Sequence, residues 1–178
     1  MNIGLLGFGV VGGGVWELAQ ENRALNVKKV LVRREAPSLG KAAVQDVEAI
    51  LRDTDIDTVV EVLGGLHPAY EWICRALAAG KDVVTANKAV ISAYYRELTA
   101  LAHENGAALR CTAAVGGGIP WLVNLQRCRR VDTVTEVGGI MNGTTNFIMD
   151  AMARQGADFP AVLQRAQELG YAEADPSA

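Results

Sequence analysis

Residues 1–15 read MNIGLLGFGVVGGGV. Asn2–Leu6 is short, apolar and uncharged, as expected of a strand buried on both faces. Gly7-Phe8-Gly9-Val10-Val11-Gly12 follows at once and fits G-x-G-x-x-G, and Val10–Glu21 continues with helical spacing. Strand, glycine turn and helix in that order are the context that gives this pattern meaning. Gly7 permits a tight turn, Gly9 lets a diphosphate approach the backbone, and Gly12 lets the helix pack closely on the sheet. The first helical turn then offers unpaired N–H groups and a partial positive charge to phosphate. The stretch is apolar enough to suggest a signal peptide, but it lacks a basic start and its glycines suit a strand and turn better.

The same alternation extends along the chain. Val27–Val32, Thr58–Leu63, Asp82–Thr85 and Ala108–Thr112 read as strands. Val44–Leu51, Pro68–Ala79 and Ala93–Glu104 read as helices, with Glu35–Gly40 as a loop. Such a βα rhythm predicts a parallel sheet with helices on both faces and right-handed crossovers, a doubly wound α/β fold. After Val115 the texture changes. Gly116-Gly117-Gly118 forms a hinge-like run, Pro120–Cys128 reads as a helix, and Val131–Ile140 as a strand. Thr145–Arg154, with Thr144 or Thr145 as its N-cap, and Ala161–Leu169 complete the expected elements. Residues 1–115 are therefore expected to form one domain, and 116–178 the beginning of a second, of α+β type.

Seventeen Lys and Arg against twenty Asp and Glu leave the 178-residue chain mildly acidic, with no basic run, which argues against nucleic acid or an anionic membrane as partner. A hydrophobic fraction of 50% supports a real core and excludes a disordered chain. No apolar stretch reaches the roughly 18 residues of a spanning helix, so the expectation is a soluble, cytoplasmic protein. Cys74, Cys111 and Cys128 are odd in number and scattered, which suits reduced, buried thiols rather than a disulfide framework or a zinc site.

Three further places carry chemistry. At the end of the second strand, where an acidic residue commonly reads a ribose 2′-hydroxyl, the sequence has Arg33-Arg34 and then Glu35. Two guanidiniums suit a 2′-phosphate and favour NADP, while Glu35 leaves NAD open; the alternative is a pair of solvated surface charges. Gly64-Gly65 closes the third strand at the sheet's carboxyl rim, where ligands sit in doubly wound sheets. Thr85-Ala86-Asn87-Lys88 falls on the same rim. A lone lysine is usually a solvated charge, but a desolvated ammonium in a cleft there would polarise a carbonyl or hold an anion.

Taken in order, Gly7–Val15, Thr85-Ala86-Asn87-Lys88, Gly116-Gly117-Gly118-Ile119-Pro120, Asn142-Gly143-Thr144-Thr145-Asn146 and Gly170-Tyr171-Ala172-Glu173-Ala174-Asp175-Pro176 closely resemble homoserine dehydrogenase across nearly the whole chain. The resemblance implies a Rossmann-like domain followed by a substrate and dimerisation domain, a homodimer, and NAD(P)-dependent interconversion of L-homoserine and L-aspartate 4-semialdehyde, a step in threonine, methionine and isoleucine biosynthesis. It implies coenzyme contacts at Gly7, Phe8, Gly9, Val11, Gly12, Arg33, Arg34, Gly64 and Thr85. Lys88 would lie beside both nicotinamide and substrate as the catalytic residue, and Gly170, Glu173, Asn142 and Thr144 would contact substrate.

Two departures accompany the resemblance. Many members bind a monovalent cation such as sodium through a glutamate before the glycine hinge and through nearby carbonyls. The carbonyls would be those of Val115, Gly117 and Ile119, but Thr112 stands where the glutamate aligns. The family also supplies an aspartate and a proton-donating lysine beyond Glu173, and the chain ends before either, so the resemblance implies an amino-terminal portion with impaired turnover. Competing readings are a non-catalytic NADP-binding or dimerisation fragment, another Rossmann oxidoreductase of a small polar substrate, and a methyltransferase with a glycine-rich turn. The double arginine and the rim lysine fit the last of these poorly.

Overall fold

The computed structural model describes residues 1–139 and 142–172. The chain divides into two compact units, Met1–Arg127 and Cys128–Ala178. The first contains β1 (Asn2–Leu6), α1 (Val10–Glu21), β2 (Asn26–Leu31), β3 (Ala43–Val44), α2 (Glu48–Leu51), β4 (Thr58–Glu61), α3 (Ala69–Ala78), β5 (Asp82–Thr85), α4 (Lys88–Glu104), β6 (Leu109–Arg110) and all but the last residue of α5 (Trp121–Cys128). Six strands form one sheet in the order β3-β2-β1-β4-β5-β6, with every pair parallel. The direction of winding reverses at the β1/β4 seam, and right-handed crossovers on either side of it send helices to opposite faces.

The period of two along each strand divides the core. Ile3, Leu5, Val30 and Val60 face Ala19 of α1, while Leu6, Val59 and Val83 face Ile50, Ile73, Leu77 and Leu98 of α2, α3 and α4. β1 is buried on both faces, as its uncharged sequence requires. Gly4 interrupts it for a packing reason: a Cβ there would stand 2.3 Å from Ile50 Cγ2.

Several elements differ from expectation, through strand pairing distant in sequence or through a local capping side chain. The region read as a helix over Val44–Leu51 splits. Ala43 and Val44 pair with Val30 and Leu31 as β3, and the Asp46 carboxylate accepts from the Glu48 amide at 2.9 Å to start a one-turn α2. Pro37–Ala42 forms a 3-10 segment that starts inside the expected loop and runs past its end at Gly40. α4 begins at Lys88 rather than Ala93, because the Asn87 side chain caps it by accepting from Val90 N at 3.2 Å. Of the three cysteines, Cys111 is buried, Cys74 half-buried and Cys128 exposed, which corrects the expectation of uniformly buried thiols.

The second unit contains α6 (Gly143–Gln155) and α7 (Phe159–Glu168), packed through Ile148, Ala151, Val162 and Ala166. Asn142, not Thr144 or Thr145, caps α6 by accepting from Thr145 N at 2.9 Å. The strand expected over Val131–Ile140 is not found at residues 131–139, and Ile140 lies outside the described residues. A strand requires a neighbour to complete its hydrogen bonds, and no described strand pairs with this stretch. Val131, Val134 and Val137 stand exposed along it.

Candidate functional site

β1, β2 and β4 all end on one rim of the sheet, and an open cleft of about 720 Å³ lies against it. Gly7, Phe8 and Gly9 form its floor. Arg33, Arg34 and Glu35 border one side, and Leu63, Gly64, Pro68 and Trp72 the other. The glycine turn is shaped as its spacing predicts. Gly7 has φ +107°, a left-handed conformation that disfavours a side chain, and its amide donates to Leu31 O at 3.3 Å. A Cβ on Gly12 would collide with the Gly7 carbonyl, whereas one on Gly9 would meet nothing within 4 Å. Gly12 is thus needed for packing, and Gly9 opens onto the cleft.

Gly9 is the N-cap of α1, with no side chain to cap it and no acidic residue in the first turn. The first intrahelical bond runs from Gly13 N to Gly9 O at 2.8 Å. The amides of Val10, Val11 and Gly12 have no intrahelical acceptor. These donors and the positive end of the helix dipole meet at the cleft floor.

Arg33 and Arg34 emerge just beyond β2, both exposed and, among the described residues, without an ion-pair partner. Their charge is available to an anion in the cleft.

On the other side of the seam lies an arrangement of buried polar groups. Glu61 ends β4, where it is in register with Leu6 of β1 and Thr85 of β5, and it is 0% exposed. Its carboxylate accepts from Leu63 N at 2.8 Å, from Thr85 Oγ1 at 2.5 Å and from Asn87 Nδ2 at 3.4 Å. Asn87 also donates through Nδ2 to Gly65 O at 2.8 Å, and its backbone amide donates to Thr85 Oγ1 at 3.0 Å. Burial pushes the Glu61 carboxyl above the usual carboxylate range, and the three donors offset part of that rise.

The structure distributes the expected site residues unevenly. Gly7, Phe8, Gly9, Arg33, Arg34 and Gly64 line one cleft. Val11 is exposed in the first turn of α1 beside it. Thr85 is fully buried, with its hydroxyl committed to Glu61. Lys88 occupies the first position of α4 on the same rim, but it is exposed rather than desolvated, and among the described residues nothing binds its amine. Val115, Gly117 and Ile119 lie together in the turn that leads into α5. The Ile119 carbonyl accepts from Trp121 N at 2.7 Å, Thr112 brings no charge, and no cluster of three metal-ligating side chains exists among the described residues.

In the second unit, the Asn142 side-chain oxygen is used by the α6 cap. The Thr144 hydroxyl donates to Tyr171 O, tying α6 to the turn at Gly170, where φ is +76°. Glu173 lies outside the described residues. Sequence reasoning gave Glu61, Asn87 and Trp72 no role. Glu61 carried a signal, as the one charge inside the apolar run Val59-Val60-Glu61-Val62-Leu63.

A family profile described as "Homoserine dehydrogenase, NAD binding domain" matches residues 7–112, and one described as "Homoserine dehydrogenase" matches residues 120–178. The homoserine dehydrogenase of Synechocystis sp. is 45% identical, over 100% of this chain and 44% of its own length. That of Bacillus subtilis is 39% identical, over 99% of this chain and 44% of its own. The chain thus spans less than half the length of these relatives. Among solved structures, a homoserine dehydrogenase from Thiobacillus denitrificans superimposes with a TM-score of 0.90 at 39% identity, over 99% of this chain and 44% of that one. A hyperthermophilic archaeal homoserine dehydrogenase in complex with NADPH does so with a TM-score of 0.84 at 27% identity, over 99% and 63%.

Proposed function

The chain belongs to the homoserine dehydrogenase family, and on that premise we propose that it serves the NAD(P)-dependent interconversion of L-homoserine and L-aspartate 4-semialdehyde, with NADP as its preferred coenzyme. The observation that carries this reading is the uncapped N-terminus of α1 at the β1/β4 seam, with two guanidiniums just beyond β2 that have no ion-pair partner among the described residues. The open space over Gly9 supports reading the turn as a cradle for a diphosphate.

When bound, the nicotinamide supplies or takes up the hydride. The amides of Val10, Val11 and Gly12 hold the diphosphate, and Arg33 and Arg34 hold the 2′-phosphate by charge-assisted hydrogen bonds. Lys88, exposed on the same rim, brings positive charge to an aldehyde oxygen as it becomes alkoxide, an interaction that strengthens toward the transition state. Gly170, Glu173, Asn142 and Thr144 are the proposed substrate contacts. Asn142 keeps its side-chain NH2 for a ligand after capping α6.

We assign residues 1–115 to the coenzyme domain and 116–178 to the substrate and dimerisation domain, acting as a cytoplasmic homodimer. No helix among the described residues is long and apolar enough to cross a membrane.

Fluorescence titration with NADPH and with NADH, followed by addition of homoserine or serine, tests the proposal. NADPH should bind more tightly than NADH, and homoserine but not serine should perturb the bound coenzyme. Absence of binding by either coenzyme at millimolar concentration overturns the coenzyme reading, and an equal response to both amino acids overturns the substrate.

A further inference from the structure

Glu61 is a buried carboxyl group between two neighbouring strands, with no cation paired to it among the described residues. Removing such a group from water is costly unless its lone pairs are satisfied. Its donors come from three separate elements: Leu63 N from the chain leaving β4, Thr85 Oγ1 from the end of β5, and Asn87 Nδ2 from the cap of α4. Proton donation has a fixed direction through this cluster. Asn87 N donates to Thr85 Oγ1, and Thr85 in turn donates to Glu61 Oε2. The Asn87 side chain spans the gap, donating to Gly65 O and accepting from Val90 N, the residue two beyond Lys88. One buried carboxylate therefore fixes both the Gly64-Gly65 exit of β4 and the first turn of α4. These are the two segments that border the rim on the side of the seam away from Arg33 and Arg34.

We propose that Glu61 is a positioning residue for the nicotinamide half of the coenzyme, acting through Thr85 and Asn87 to hold the Gly64-Gly65 backbone and Lys88 in register with each other. This rests on the coenzyme reading above. An acceptor on both oxygens is essential to the device. A glutamine at position 61 would keep one acceptor for Leu63 N but would turn a second donor toward Thr85, whose hydroxyl proton would lose its acceptor. The adenosine end, held by α1 and β2, would be untouched.

The experiment compares two probes on the purified 178-residue chain: NADPH, and adenosine 2′,5′-bisphosphate, which lacks the nicotinamide half. Glu61→Gln should weaken NADPH at least about tenfold and leave adenosine 2′,5′-bisphosphate within about twofold of wild type. Thr85→Val should do the same, and Thr85→Ser, which restores the hydroxyl, should recover most of the lost NADPH affinity. Equal losses for both probes mean that Glu61 only maintains the fold, and unchanged NADPH affinity means that the cluster does not position the ligand; either overturns the inference. If Glu61→Gln fails to fold, the Thr85 pair decides in the same way. Failure of the wild-type chain to bind either probe counts instead against the coenzyme reading.

Discussion

A Cβ on Gly12 would stand 2.3 Å from the carbonyl oxygen of Gly7. The obstacle is backbone, so no rotamer change relieves it, and α1 would have to move away from β1. Gly12→Ala should destabilise the chain by about 1–3 kcal/mol, the usual cost of overpacking, and abolish NADPH binding. Gly9→Ala offers the contrast. Its Cβ meets no atom within 4 Å and its φ is −87°, so stability should hardly change. The methyl would occupy space a diphosphate needs, and NADPH affinity should fall at least about tenfold. Urea unfolding paired with NADPH titration checks both variants; loss of stability in Gly9→Ala would contradict the separation of roles.

Among the described residues, Arg33 and Arg34 have no ion pair to lose in the free protein. Replacing either by alanine should cost little stability. A hydrogen bond to a charged group is worth about 1.5–3 kcal/mol, so each variant should bind NADPH about 10- to 100-fold more weakly, with NADH within a few-fold of wild type. Raising the salt concentration should narrow the gap between the two coenzymes in wild type. Equal losses for NADPH and NADH would place the guanidiniums elsewhere than on a 2′-phosphate.

Two carboxylates near β4 should respond to pH with opposite sign. The Asn2 amide at 2.9 Å, then the Thr58 hydroxyl at 2.7 Å, hold the Asp57 carboxyl below its ordinary value. Its contribution is present above the unfolded-state value and lost as pH falls through the folded one, below about pH 4. Glu61 is shifted upward by burial. Its contribution is greatest below the unfolded-state value, about 4.3, and declines as pH rises through the folded one. Urea midpoints measured from pH 3 to 7 should show Asp57→Asn with a flatter acid limb than wild type. Glu61→Gln should lack the decline wild type suffers above pH 4. Parallel curves for all three proteins would refute both assignments.

Trp72 borders the cleft, while Trp16 and Trp121 do not line it. Bound NADPH should therefore quench tryptophan emission chiefly through Trp72. Trp72→Phe should remove most of the quenching, with Trp16→Phe and Trp121→Phe retaining it. A quenching change dominated by Trp16 or Trp121 would move the ligand out of this cleft.

The features legible in the sequence are those encoded locally. β1, the glycine turn and α1 follow one another within residues 2–21 and were read with their correct bounds. The parallel order follows from short, largely apolar strands alternating with helices. β3 escaped notice because two residues become a strand only when Val30 and Leu31 arrive beside them. α4 starts early because of one capping side chain, Asn87, which was read only as part of a motif. The Val131–Ile140 reading failed for the reverse reason, since β-branched residues do not make a strand without a neighbour. Within the site, the cleft residues were recognisable from motif positions. The Glu61 cluster was not, because its partners Thr85 and Asn87 lie 24 and 26 residues away and are brought together only by the register of β4 and β5. Lys88 was located correctly on the rim, but its exposure depends on what covers the start of α4, which no local pattern encodes.

The outermost strands, Ala43–Val44 and Leu109–Arg110, are two residues long. Each flank of the sheet therefore shows too few unpaired peptide groups for another chain to zip on alongside. Lateral recruitment, whether by a sister molecule or by a misfolded neighbour, finds little template there.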